Sequence, residues 1–132
     1  MKITADTNVL VRAITGDDAK QSKTAQSVLE EAEVVAVALT ALCELVWVLA
    51  QGYKIPSSEI AKAVRALLSS EKVVVNRTAA EAGLAILVAG GDFADGVIAH
   101  EGSWLGAGDF VSFDRKAVNL LRVQGASATL LS

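Results

Sequence analysis

The chain has 132 residues, a length that suits one domain, and 52% of them are hydrophobic while only 5% are aromatic. The formal net charge of −3 excludes a protein that holds nucleic acid by overall positive charge, so a phosphate-bearing ligand needs a local cation such as a bound metal ion. The single cysteine, Cys43, excludes an intrachain disulfide and fits a reducing compartment.

Hydrophobic patterning predicts strands alternating with helices along the whole chain. A strand at 2–5 is followed by helices at 8–14 and 17–32, a strand at 34–39, helices at 41–51 and 57–70, a strand at 73–75, helices at 79–89 and 92–104, a strand at 110–113, a helix from 114 to 123 and a strand at 128–131. Such alternation predicts one domain, residues 1–132, in which a parallel sheet is covered by helices on both faces.

Acidic residues stand at the ends of two predicted strands and at the start of one helix. Asp6 follows the first strand and Asp114 follows the fourth. Asp92 and Asp95 open a helix three residues apart, which places them on one face. Because ligands of parallel sheets bind at the carboxyl ends of the strands, we expect these acids to meet.

Glu44 is the only charged residue between Val34 and Tyr53, and its neighbours in a predicted helix are apolar. A carboxylate buried among them is costly unless it is paired or bound to a metal ion, and no Lys or Arg lies at helical spacing. We therefore expect Glu44 to be buried and to meet a partner from elsewhere in the fold.

Four carboxylates at one site need a counterion, and oxygen ligands of this kind suit Mg²⁺ or Mn²⁺. Such an ion lowers the pKa of bound water and stabilises charge on a phosphoryl oxygen, so phosphodiester hydrolysis is the predicted chemistry. A structural alternative stands beside it. Asp6, Asp92 and Asp114 also suit helix N-caps, Asp95 suits the helix dipole, and the two roles are compatible.

The ordered set of acidic motifs resembles the PIN-domain pattern, and in particular that of VapC-type toxins. The matching segments are Asp6-Thr7-Asn8-Val9-Leu10, the lone Glu44, Asp92-Phe93-Ala94-Asp95 and Ser112-Phe113-Asp114. The resemblance implies a three-layer α/β/α fold with a central, mainly parallel sheet of about five strands. It also implies a Mg²⁺- or Mn²⁺-dependent endoribonuclease, the toxin of a type II toxin–antitoxin pair, that forms homodimers and is inhibited by a VapB-like antitoxin.

The resemblance assigns roles to individual residues. Asp6, Glu44, Asp95 and Asp114 match the catalytic and metal-binding acids, with Asp92, Asn8 and Ser112 as accessory residues. Arg12, Arg115 and Lys116 lie near these acids along the chain and are candidates for binding RNA phosphates, the alternative being solvated surface charge. Gly96 departs from the helix-forming residue usual in the family and should destabilise its helix by up to about 1 kcal/mol.

Three other functions were weighed against the nuclease. A haloacid-dehalogenase-like phosphatase needs a second Asp where Asn8 stands, and a receiver domain needs an Asp where the third strand ends in Asn76-Arg77. A catalytically inactive PIN-like binding module is the third.

The acid at position 6 is unlike a signal peptide, and no apolar run reaches the roughly 20 residues of a membrane span, so we expect a soluble cytoplasmic protein.

Overall fold

Strands and helices alternate through a computed structural model that describes residues 1–132. The chain forms two compact units, Met1–Asn76 and Arg77–Ser132. Together they contain seven α-helices and five strands, and every paired strand runs parallel to its neighbour. The predicted mixed α/β class with about five parallel strands is confirmed, and the strands are hydrogen-bonded as one three-stranded and one two-stranded sheet.

The first unit holds the three-stranded sheet, in the order β1-β2-β3. Its elements are β1 (Lys2–Thr4), α1 (Thr7–Thr15), α2 (Ala19–Glu31), β2 (Val34–Ala36), α3 (Leu39–Trp47), a π-helical segment (Val48–Gly52), α4 (Ser57–Ser69) and β3 (Val73–Val74). Lys2 is in register with Val34, and Val35 with Val73, so both pairs of strands end at the same edge. Asp6 follows directly at that edge.

Apolar residues at helical spacing build the core of the first unit. Leu42, Leu45 and Leu49 are 0% exposed, and Leu10 from α1 and Ile60 from α4 are 1% exposed. Burying such side chains contributes roughly 1.5–3 kcal/mol each relative to leaving them in water. This packing holds α1 and α3, the two helices that carry the acids of this unit.

Two boundaries of α3 differ from the predictions. The predicted cap, Thr40, lies inside the helix, and Ala38 occupies the N-cap position without a side-chain hydrogen bond. The predicted helix at 41–51 ends as an α-helix at Trp47 and continues as a π-helical turn, in which the Tyr53 amide donates to the Val48 carbonyl at 3.2 Å. Apolar periodicity does not separate these two hydrogen-bonding patterns because both keep the same face buried.

The second unit contains α5 (Arg77–Val88), α6 (Phe93–Trp104), β4 (Asp109–Ser112), α7 (Arg115–Val123) and β5 (Ser127–Leu130). β4 and β5 form the two-stranded sheet, in register from Asp109 with Ser127 to Ser112 with Leu130. Ile86, Val118, Leu121 and Ala128 form a buried apolar cluster between helices and sheet. In the whole chain, none of the helices combines the length and apolar character needed to cross a membrane.

Candidate active site

Asp6 lies between β1 and α1 and caps the helix. Its backbone is extended, with φ −75° and ψ 160°, and its Oδ1 accepts a hydrogen bond from the Thr7 amide at 2.8 Å. The side chain is exposed, and Oδ2 makes no hydrogen bond. One oxygen of this carboxylate therefore holds the helix start while the other is free for a ligand.

Glu44 lies in the middle of α3 and is linked to the Asp6 region through Thr7. The Thr7 hydroxyl donates to Glu44 Oε2 at 3.1 Å, while the Thr7 amide donates to Asp6. A single residue thus hydrogen-bonds two of the predicted catalytic acids. The sequence reasoning gave Thr7 no role; the available signal was a hydroxyl residue directly after an acid at a strand end.

The expected burial of Glu44 is wrong. Glu44 is exposed, as is Trp47 one turn later at 63%, whereas Leu42, Leu45 and Val46 point into the core. The reason is helical periodicity, because an apolar stretch surrounding Glu44 along the chain occupies the opposite face of the helix. The desolvation argument for Glu44 therefore fails, and its position beside Thr7 is what connects it to the candidate site.

Three acids lie at the helix starts of the second unit. Asp92 caps α6 through a hydrogen bond from the Ala94 amide at 3.1 Å, and Asp114 caps α7 through one from the Ala117 amide at 3.1 Å. Asp95, half-buried in the first turn of α6, has its pKa raised by burial first and then by the negative charges of Asp92 and Asp114. The surroundings of Asp95 therefore destabilise its ionised form.

The structural alternative for these acids is confirmed, since Asp6, Asp92 and Asp114 are all N-caps. Each uses Oδ1 for the cap, and Oδ2 is left without a protein donor. Ser112, at the end of β4, accepts a hydrogen bond from the Asp114 amide at 3.0 Å and so orients the backbone that carries the acid. Capping fixes the direction of the second oxygen without consuming it.

The three predicted RNA-binding cations differ in their surroundings. The Arg12 guanidinium donates to both oxygens of Asp17, at 2.9 and 3.1 Å, to Gln21 at 2.7 Å and to Tyr53 at 3.2 Å. The hydrogen bond and charge of Asp17 raise the pKa of Arg12, so its charge is already compensated. Arg115 and Lys116, by contrast, are exposed in the first turn of α7.

Cations in that turn face the positive end of the helix dipole, where they cost stability. Helix formation alone therefore gives no reason for Arg115 and Lys116 to follow Asp114. Arg12, by comparison, joins α1 to the α1–α2 turn and to the π-helical segment. These contacts give Arg12 a structural role beside its predicted one, and Arg115 and Lys116 remain candidates for binding a negatively charged ligand.

Comparison with known families identifies the domain family of this chain. Residues 3–117 match the model of the PIN domain, which includes both units and every predicted acid. The chain belongs to the PIN domain family. PIN domains are typically nucleases, and the mixed α/β architecture with parallel strands is consistent with the PIN-like α/β/α fold. The chain matches none of the curated proteins with which it was compared.

The acids of this PIN domain were tested for their fit to a divalent cation. No group of three or more His, Cys, Asp or Glu side chains lies close enough to surround an ion as the side chains stand. The donor chemistry nevertheless fits, because the free oxygens belong to carboxylates, the ligands that Mg²⁺ and Mn²⁺ prefer. Burial, followed by the charges of Asp92 and Asp114, raises the pKa of Asp95, and a bound cation would favour its ionised form.

Proposed function

We propose that this PIN domain is a metal-dependent endoribonuclease. The observation that carries the proposal is the pKa of Asp95, which burial raises first and the charges of Asp92 and Asp114 raise further. Acids that repel one another in this way gain most from a bound cation. The family match supports phosphodiester hydrolysis as the reaction.

The proposed metal ligands are Asp6 in the first unit and Asp95 and Asp114 in the second. Asp6 and Asp114 would offer the carboxylate oxygen that capping leaves free. The ion, when bound, supplies a water of lowered pKa and stabilises charge on the phosphoryl oxygen. Glu44, oriented by the Thr7 hydroxyl, would bind the same or a second ion or orient a water molecule. Asp92 supports the start of α6, Asn8 and Ser112 assist their neighbouring acids, and Arg115 and Lys116 hold flanking phosphates.

The decisive experiment is cleavage of a fluorescein-labelled single-stranded RNA in Mg²⁺, in Mn²⁺ and in EDTA. We expect cleavage only with metal, and a loss of at least about 100-fold in Asp95→Asn. Glu101→Gln is the matched control, because it removes the same charge from an exposed position of the same helix and should cleave normally. Metal-independent RNA binding without any cleavage would instead identify an inactive binding module.

A second experiment asks whether the acids of the two units serve one reaction. Asp6→Asn and Asp95→Asn should each abolish cleavage, and the double variant should be no worse than either, since residues that act as a unit are not additive. Losses that multiply would mean independent contributions. A phospho-aspartyl adduct trapped on Asp6 would favour the phosphatase alternative and contradict the nuclease.

We also propose that the protein is the toxin of a type II toxin–antitoxin pair and acts in the cytoplasm as a homodimer, with a VapB-like antitoxin as inhibitor. This proposal rests on the VapC-like motif order. Exposed apolar side chains, among them Trp104 at 76%, Leu105 at 87% and Phe113 at 73%, are compatible with protein partners. Growth arrest on expression, relieved by Asp95→Asn or by co-expression of the protein encoded next to it, is the expected result.

A further inference from the structure

A groove between α1 and α2 extends from the candidate active site along the surface of the first unit. Its volume is about 510 Å³, within the range of roughly 300–1,000 Å³ that is usual for small-ligand sites. Its lining includes Asp6, Asn8 and Val9 at the start of α1, and Lys20, Gln21, Thr24, Ala25 and Val28 on α2. Because Asp6 stands in its wall, any ligand in this groove lies beside one of the candidate catalytic acids.

The floor of the groove is apolar and its rim is polar. Val9 is half-buried, Ala25 is 7% exposed and Val28 is 42% exposed, so α2 presents a shallow aliphatic surface at helical spacing. Polar groups at the rim can form hydrogen bonds with the edge of a ligand. Gln21 accepts from Arg12 through Oε1, which leaves its amide nitrogen as a donor, and Asn8 next to Asp6 is exposed.

The charged residues that line the groove differ in whether they already have an ion-pair partner. Arg12 is neutralised by Asp17, and Asp18 caps α2 by accepting from the Gln21 amide at 3.0 Å. The ammonium group of Lys20 is exposed and has no ion-pair partner. The charges without an ion-pair partner are therefore the carboxylates of Asp6 and Asp18, each of which keeps one oxygen free, and the ammonium of Lys20 on the α2 rim.

We propose that this groove binds one nucleotide of a single-stranded RNA, adjacent to the phosphate that is cleaved at Asp6. The base lies on the aliphatic floor of Val9 and Val28, and Lys20 holds the phosphate of that nucleotide. Unpaired bases expose both an apolar face and hydrogen-bonding edges, which matches an apolar floor with a polar rim. The inference rests on the proposed nuclease function and adds a substrate subsite to it.

The charge test compares Lys20→Ala with Lys23→Ala. Both residues are exposed on α2, and both substitutions change the net charge equally, but only Lys20 lines the groove. Binding of a fluorescein-labelled random-sequence RNA dodecamer is measured by anisotropy in EDTA over a series of salt concentrations. Lys20→Ala should weaken binding several-fold and reduce the slope of log K against log salt by about 0.7, and Lys23→Ala should leave the slope unchanged.

The shape test compares Thr24→Trp with Ser27→Trp. Thr24 lines the groove and Ser27 does not, and both are exposed positions of the same helix, so the two indoles burden helix formation alike. Thr24→Trp should weaken RNA binding about tenfold or more and raise KM for cleavage, because the indole fills the space of the base. Ser27→Trp should match the wild-type chain in both measurements.

The outcomes separate this proposal from the proposed function. If the wild-type chain cleaves RNA and Thr24→Trp cleaves it with unchanged KM, the nuclease stands and the groove assignment is overturned. Equal losses in Lys20→Ala and Lys23→Ala would also overturn it, because they would show only general electrostatic attraction. If Thr24→Trp instead keeps RNA affinity and loses affinity for a protein partner, the groove is a protein-docking site and not a substrate subsite.

Discussion

The Thr7 hydroxyl donates a hydrogen bond of 3.1 Å to Oε2 of Glu44, a residue 37 positions away along the chain. Its own amide donates to Oδ1 of Asp6. The hydroxyl sets the direction of a carboxylate on an exposed side chain that would otherwise rotate freely. Thr7 is therefore a positioning residue for Glu44 and a link between the strand end and α3.

Thr7→Val tests that relationship because valine has nearly the same shape and lacks the hydroxyl. We expect kcat for RNA cleavage to fall about tenfold, the scale of one hydrogen bond to a charged group, with little change in KM. Thr7→Ser should restore activity, since it returns the donor. Thermal unfolding of both variants controls for the fold, and wild-type kcat in Thr7→Val would show that the contact has no part in catalysis.

Asp95 makes the stability of the metal-free protein depend on pH. Its pKa is raised in the folded chain, so the folded state binds this proton more tightly than the unfolded chain does. The associated stabilisation is fully present below the unfolded pKa and is lost as the pH rises through the folded pKa. Metal-free Asp95→Asn should therefore unfold at higher temperature than the wild type at neutral pH, and this advantage should shrink in acid.

Unfolding temperatures measured in EDTA from about pH 3 to pH 8 test this expectation. Glu101→Gln is the control, because it removes the same charge from an exposed position of the same helix. Added Mg²⁺ should stabilise the wild type and leave Asp95→Asn nearly unchanged. A gap between Asp95→Asn and the wild type that stays constant across the pH range would contradict the assignment.

Gly96 has a low helix propensity, and the packing of α5 against α6 shows why glycine stands there. A Cβ at Gly96 would overlap the Ala82 carbonyl oxygen and lie 2.9 Å from the Gly83 Cα, so α5 and α6 approach closely only because this side chain is absent. Gly96→Ala should destabilise the protein by about 1–3 kcal/mol in denaturant unfolding.

Gly102→Ala is the matched control in α6, because a Cβ there lies 3.5 Å from the Ala107 oxygen, an ordinary contact. It should be neutral or stabilising by up to about 1 kcal/mol, the usual gain of alanine over glycine in a helix. Similar unfolding free energies for Gly96→Ala and Gly102→Ala would mean that the helices can separate without cost.

The cations give a prediction in which stability and binding move in opposite directions. Arg115→Ala should weaken RNA binding and lower its salt dependence, yet stabilise α7 by about 0.3–1 kcal/mol because a cation leaves the helix N-terminus. Arg12→Ala should lower stability, since Asp17, Gln21 and Tyr53 lose their common partner. RNA affinity is measured by anisotropy and stability by thermal unfolding for both variants. A destabilised Arg115→Ala with unchanged RNA affinity would contradict the phosphate-binding role.

Local rules predicted the placement of the acids well. A polar residue between an apolar strand and an amphipathic helix has few alternatives, so Asp6 and Asp114 were expected where they are found. The exposure of Glu44 follows from helical periodicity and not from the apolar residues next to it, because Leu42, Leu45 and Leu49 form the buried face of the helix and Glu44 lies outside that face. The role of Thr7 required knowing that α1 packs beside α3.

The remaining differences have the same origin in tertiary packing. Thr40 is a good capping residue, but α3 begins earlier, at Leu39, where the chain leaves β2. Helix propensity marks Gly96 as a weak position, whereas close contact between two helices requires it. Arg12 carries a charge that suits RNA, and only the folded α1–α2 turn reveals Asp17 as its partner.

The helix-capping role of Asp6, Asp92 and Asp114 has a consequence for how the proposed nuclease would lose its activity. Oδ1 of each carboxylate accepts a hydrogen bond from a backbone amide in the first helical turn. The orientation of Oδ2, the outer oxygen, therefore depends on that turn staying folded. Fraying of a single turn would misdirect the outer oxygen while the bulk of the protein stays native. On heating or in mild denaturant, RNA cleavage should therefore be lost before global unfolding is detected.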